Sequence, residues 1–245
     1  MTDLLSQEEI DALLRSAGSA DGAEPPPPPP EQKASTPAPS SSGGGAAAPP
    51  PGDPGATLSA EAIEHLSEVG KLSLGATSSV VQMLLNRPVE LTPNPLRVIN
   101  YSTLATESGG EDYIIAKIAY AEGFDGNSYL MIRKSISSII GDLMMGGDGK
   151  NPDFQEMHKS AVGEMMNQMM GKTTTTLSEM FKKRVDIAPP QVELVNLRTS
   201  VPPLPDFNPN AVFLRMGFGL KISDVAETEI LQLLPIKFAK AMAAD

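Results

Sequence analysis

Apolar residues recur at helical spacing from the start of the chain, where Leu5, Ile10, Leu13, Leu14 and Ala17 fall near one face of a three-turn helix. Ser6 with Glu9 three residues later has the form of a capping box, and Gly18 ends the run. Periodicity then stops. Residues 18–57 hold twelve prolines with Ser, Ala and Gly between them, and hardly a large apolar side chain. Such a stretch buries too little to offset the entropy of ordering it, so a disordered linker is expected. Its forty residues would reach about 35 Å as a coil and roughly 120 Å if wholly polyproline-like. A three-turn helix is marginal alone in water, so 1–17 is expected to order when its apolar face meets a groove on a partner. Docking on the chain's own globular part is the rival reading, for which so long a linker is an odd tether.

From Leu58 onward the pattern is that of a folded domain, and it repeats. Shifted by 96, HLSEVGKLSLGATSSVVQMLLNRPVELTPN lies without a gap over AVGEMMNQMMGKTTTTLSEMFKKRVDIAPP, so that Glu68 meets Glu164, Gly75 meets Gly171, Thr77 meets Thr173 and Pro93 meets Pro189. Each half, about 58–150 and 154–245, predicts a long helix that leads past Arg87 or Arg184 into a short strand stopped by proline. Strand-rich segments follow, YIIAKIAYAEGFDGNSYLMI with a turn at Asp125 and Gly126, and AVFLRMGFGLKI with EILQLL. Each half closes on a second apolar helix, SISSIIGDLMM or PIKFAKAM, the latter with Pro235 suited to a first helical position. The expected fold is α/β (α+β): a pseudo-twofold pair of α-β-β-β-α halves in residues 58–245, with one shared sheet and the long helices on its face.

Composition narrows the function. With 40% hydrophobic residues a core can form, while a net charge of −11 and 4% aromatics lack the basic and stacking surfaces of a nucleic-acid binder. The absence of cysteine excludes disulfides and thiolate metal sites. The chain carries no signal-peptide pattern and no uncharged apolar run of about 18 residues, so a cytoplasmic protein that does not span a membrane is expected.

Several chemistries fail on inventory. The two histidines, His65 and His158, lie in different halves and suggest neither a metal cluster nor a triad. The glycines of GFDGN and MMGGDGK are explained by turns, and Met165, Met166, Met169 and Met170 by helix packing. Ser160, Glu164 and Asn167 remain, at spacings that put them on one helical face beside the methionines. A carboxylate next to a carboxamide on a rigid helix can orient water, although polar residues at such spacing also occur on any solvated face.

The sequence resembles the CheC, FliY and CheX group of flagellar and chemotaxis proteins. That group's motif is Ser or Asp, three residues, Glu, two residues, Asn, and about 22 residues later Pro, matched here by Ser160, Glu164, Asn167 and Pro190. LSQEEIDALL separately resembles the N-terminal peptide by which FliM- and FliY-type proteins bind phosphorylated CheY, which points to the FliY-type members. The resemblance implies hydrolysis of the aspartyl phosphate on CheY, with Mg²⁺ supplied by CheY and no cofactor of the chain's own. It implies Asn167 as water-orienting residue, Glu164 as the anchor on the receiver's Lys, Ser160 shaping the helix face, and Pro190 ending a strand. The peptide would seat Leu5, Ile10, Leu13 and Leu14, with Gln7 and Asp11 at the rim. Other implied partners are the switch proteins FliM, FliG and FliN, and CheD. The implied place is the cytoplasmic ring at the flagellar basal body, on the inner face of the membrane. In the first half the aligned residues are Glu64, Glu68 and Lys71, an expected degenerate site in which Lys71 pairs with Glu68 or Glu64, three or seven residues away, the nearer being the realistic partner. FliY-type members continue into a FliN-like domain past the position of Asp245, so a truncated or variant form is expected. The rival reading is a FliM-like structural component of the switch that binds CheY without hydrolysing it.

Overall fold

Ser59 starts the first long helix: its Oγ accepts a hydrogen bond from the Ala62 N–H at 3.1 Å, and α1 runs over Ala60–Leu85. The structure, a computed structural model, describes residues 58–150, 152–199 and 204–245. After α1 come β1 (Val89–Pro93), β2 (Arg97–Asn100), α2 (Tyr101–Glu107), β3 (Asp112–Glu122), β4 (Asn127–Arg133) and α3 (Lys134–Met144). The second half runs through α4 (Glu156–Phe181), β5 (Asp186–Ile187), β6 (Gln191–Asn196), β7 (Val212–Ile222), β8 (Ala226–Pro235) and α5 (Ile236–Ala243). The expected peptide 1–17 and linker 18–57 lie outside the described residues. The repeat reaches the backbone: α1 and α4 each have 26 residues, and each ends on a left-handed non-glycine residue, Asn86 or Lys182, at φ 49°.

The eight strands form one antiparallel sheet in the order β1-β7-β8-β4-β3-β5, with β2 also on β7 and β6 also on β3. The hairpins β3–β4 and β7–β8 meet at its centre, where Tyr129 lies opposite Leu233. The opening strands are exchanged. β1 and β2 of the first half pair with β7 of the second, and β5 and β6 of the second pair with β3 of the first. Neither half therefore completes its part of the sheet without the other.

Three details differ from the sequence reading. The opening strand of each half is interrupted rather than stopped: it breaks at Pro95 or at Pro189 and Pro190, then resumes on the same neighbour. Proline has no N–H for the ladder, so the pairing skips it and recovers beyond. The first half also gains the short helix α2. Pro235 ends β8 opposite Phe213 and caps α5 with φ −49° and ψ 136°, because its extended ψ continues the strand.

Alternation along the strands sorts the core. Ile114, Ala116 and Ile118 of β3 face α1, α3 and α4, where Val81, Ile140, Val162 and the four methionines of α4 are buried with them. Tyr113 and Ile115 face the opposite side, which α2 and the segment Leu204–Phe207 cover. Gly141 lets α3 lie on α4, since a Cβ there would fall 2.8 Å from the His158 Cα. The glycine-rich segments are turns. Gly146 and Gly149 adopt φ 89° and 76°, and the Asp142 carboxylate accepts from the Gly149 N–H at 2.8 Å. A carboxylate in that position would repel a phosphate. No helix among the described residues is long and apolar enough to cross a membrane.

Candidate active site

The first turn of α4 is held by His158, whose Nδ1 accepts the Gln155 N–H at 2.9 Å while its ring is buried. That bond occupies the histidine in shaping the helix start. Downstream, the 3.6-residue period divides α4 into two faces. Val162, Met165, Met166 and Met169 are buried, whereas Ser160, Glu164 and Asn167 are exposed on the outer face, as their spacing predicts.

Their surroundings differ in what they leave free. The Ser160 hydroxyl donates to the Glu156 carbonyl at 3.2 Å, so it is spent on the helix backbone. Glu164 Oε1 accepts from Gln168 Nε2 at 2.8 Å, and its remaining acceptor capacity is open to solvent. The Asn167 carboxamide makes no hydrogen bond to another described residue. One donor-acceptor group and one carboxylate thus point outward from the same helix face.

A cleft of about 270 Å³ lies beside them, walled on one side by Ser160, Gly163, Glu164 and Asn167 and on the other by Pro189, Pro190 and Val192. The wall is the break between β5 and β6. All four motif residues come together here, including Pro190, which stands in the interruption rather than at a strand's end. Gly163 permits the approach, because a Cβ at that position would sit 3.2 Å from Val192 Cγ2. Gly163, Pro189 and Val192 were not singled out from the sequence. The signal for Gly163 was present, since glycine inside a helix costs about 1 kcal/mol relative to alanine and needs a packing reason. The cleft is shallow and open, so a docked macromolecular surface would have to complete it. What it offers such a surface is a fixed carboxylate and a free amide, enough to set a register and hold one water.

The first half builds a similar recess. Glu64, Glu68 and Lys71 are exposed on α1, and a cleft of about 260 Å³ is lined by Ser67, Gly70 and Lys71 with Pro93 at the end of β1 and Asn94 and Pro95 of the β1–β2 break. The expected pairing of Lys71 with Glu68 is absent among the described residues. In high-dielectric surroundings an ion pair between two exposed side chains gains little over the entropy of holding them together. The peptide residues Leu5, Gln7, Ile10, Asp11, Leu13 and Leu14 lie outside the described residues.

The sequence profile of the CheC-like family matches residues 157–194, which contain Ser160, Glu164, Asn167 and Pro190. The chain is 35% identical over 98% of its length to the flagellar motor switch phosphatase FliY of Bacillus subtilis, and it spans 57% of that protein's length. Among solved structures, Thermotoga maritima FliY matches with a TM-score of 0.69 at 28% identity, covering 76% of this chain and 96% of that one. FliM in the FliG–FliM complex of Helicobacter pylori shares the fold alone, with a TM-score of 0.64 at 14% identity over 77% of this chain and 100% of that one.

Proposed function

We propose that the chain is a CheC-like protein that acts in the flagellar switch by hydrolysing the aspartyl phosphate of phosphorylated CheY, a reading supported by the match of the CheC-like family to residues 157–194. The observation that carries this reading is the pairing of a free Asn167 carboxamide with the Glu164 carboxylate in one open cleft.

The receiver brings the acyl phosphate, its Mg²⁺ and a lysine, so the phosphatase has only to place a water in line with the bond to be broken. Glu164 pairs with the receiver's lysine on docking and sets the register. Asn167 then enters the receiver's site, where its Oδ1 accepts one hydrogen of the water and turns the oxygen lone pair toward phosphorus. The water oxygen bonds to phosphorus, the P–O bond to the aspartyl carboxylate breaks, and inorganic phosphate leaves with the carboxylate restored. Ser160 holds the helix face in shape, while Pro189 and Pro190 form the opposing wall. No metal of the chain's own enters the mechanism.

The N-terminal peptide supplies capture. Leu5, Ile10, Leu13 and Leu14 would seat on phosphorylated CheY, with Gln7 and Asp11 at the rim, and the linker would hold the receiver at raised effective concentration near the domain. FliM, FliG and FliN are the partners that such a place in the switch implies, CheD is a further one, and the cytoplasmic ring on the inner face of the membrane is the site of action. A second reading, a switch component that binds CheY without hydrolysis, is favoured by the fold shared with FliM. Decay of phosphorylated CheY from the same cell, with and without the full chain, separates the two. Acceleration that weakens on deletion of residues 1–17 is expected. Unchanged decay despite measurable binding would leave the switch component and sink the enzyme.

A further inference from the structure

The α1 cleft is treated by the chain as more than a remnant. Pro93 and Asn94 stand where Pro189 and Pro190 wall the α4 cleft, and the two recesses are of nearly equal size, about 260 and 270 Å³. Hydrogen bonds do for Asn94 what the ring does for Pro190. Its N–H donates to the Gly217 carbonyl at 2.8 Å, and its side-chain amide donates to Glu229 Oε1 at 2.6 Å, with Arg215 held on the other oxygen of the same carboxylate at 2.5 Å. Gly217 leaves room for this network, since a Cβ there would overlap the Glu229 carboxylate. These bonds fix the wall against β7 and β8.

A second observation concerns the helix face. Gly75 lies four residues after Lys71, and Gly171 four residues after Asn167, each exposed in the middle of a long helix. Neither glycine adopts positive φ, and a Cβ at either would meet nothing within 4 Å. Alanine would stabilise the helix at both positions by about 1 kcal/mol, so nothing within the described domain calls for glycine there. What both positions share is clearance for an outside surface on the turn next to the site. The first half retains the clearance and the exposed Glu68, and carries Lys71 in place of the amide, Glu64 in place of Ser160 and the anchored Asn94 in place of Pro190. Neither Glu68 nor Lys71 enters an ion pair among the described residues, so both are available to a partner.

We infer that the α1 cleft is a second docking site for the phosphorylated receiver, one that holds the phosphoryl group on the Lys71 ammonium and does not hydrolyse it. The inference rests on the receiver being the substrate of the α4 cleft. An ammonium has three donors and no acceptor, so it pairs with phosphoryl oxygens but cannot accept a hydrogen from water. Placed where the amide would orient the attacking water, it occupies that space and leaves the P–O bond intact. One half of the domain then ends the signal while the other retains a phosphorylated receiver beside it.

The test is a calorimetric titration of the full chain with CheY held in its activated form by beryllofluoride and Mg²⁺. Lys71→Glu is expected to bind one receiver fewer per chain than the wild type. Gly75→Gln, which leaves the charge unchanged and fills the clearance, is expected to lose the same equivalent. Stoichiometry and affinity unchanged in both variants would overturn the inference. In a chain carrying Asn167→Ala, the decay of phosphorylated CheY is expected to slow below its own rate by about twofold at saturation, the effect of shielding half of the bound receivers, and to return to it when Lys71→Ala is added; no difference between these two chains would also overturn it. Failure of the underlying reading looks different: the wild-type chain would then leave decay unaccelerated, whatever Lys71→Glu does to binding.

Discussion

Replacing Asn167 by alanine separates the chemistry of the α4 face from its stability. Asn167 is exposed and its carboxamide has no partner among the described residues, so truncation orphans no buried group and opens no cavity. Alanine is also the better helix former, by up to about 0.7 kcal/mol, which raises Tm by up to about 3 °C for a domain of this size. Loss of a preorganised group that acts only in the transition state costs far more, roughly 100- to 1,000-fold in rate or about 3–4 kcal/mol. The assay is single-turnover decay of radiolabelled phosphorylated CheY at saturating full chain, with thermal unfolding measured on the same samples. A fall in catalysed rate of about 100-fold or more, at an unchanged or slightly raised Tm, is expected. Activity within threefold of wild type would refute the role given to Asn167, and lost activity accompanied by a lowered Tm would refute the claim that its side chain is free of the fold.

Met166, the preceding residue, should behave in the opposite way: it is fully buried, so Met166→Ala is expected to cost about 2–5 kcal/mol in urea unfolding. Measured at a temperature where the variant stays folded, its single-turnover rate should remain within a few-fold of wild type. Alkaline stability reports on Tyr120, whose ring packs on Phe124 and Phe238 and whose hydroxyl is pushed from 10.0 up to about 12 by desolvation. The folded protein therefore keeps this proton to higher pH than the unfolded chain, so stability is full below about pH 10 and falls as pH rises from there to about 12. Tyr101 and Tyr129 are shifted in the same direction by burial, so Tyr120→Phe is expected to reduce the alkaline slope without removing it. An unchanged slope in urea titrations across this window would contradict the shift.

Much of the candidate site could be read before the fold was known because it lies on one helix. Spacings of four and three residues force Ser160, Glu164 and Asn167 onto one face whatever the helix packs against, and the buried methionines mark the other. The opposing wall was less accessible. Pro190 could be named by resemblance, but its placement across from Asn167 depends on β5 and β6 leaving the end of α4 and pairing with a strand of the other half. The reason for Gly163 is Val192, which only the fold brings against it. The expected Lys71–Glu68 pair failed for a related reason, since helical spacing brings two charges within reach without determining whether solvent competes successfully.

The sequence by itself determined what local geometry and composition control: two long helices in a 96-residue repeat, their buried and exposed faces, and the turns of the glycine-rich segments. It also determined the residue types offered at the two outer faces, an amide in one half and an ammonium in the other. Only the tertiary structure decided that the opening strands are exchanged, that their proline breaks wall the two clefts, and that Asn94 is anchored through Glu229 and Arg215. The physical reason is the range of the interactions. Helical periodicity is written in residues three or four apart, whereas a sheet ladder joins backbone groups that every residue except proline carries, so strand patterning limits the partners and the packing of the whole core chooses among them.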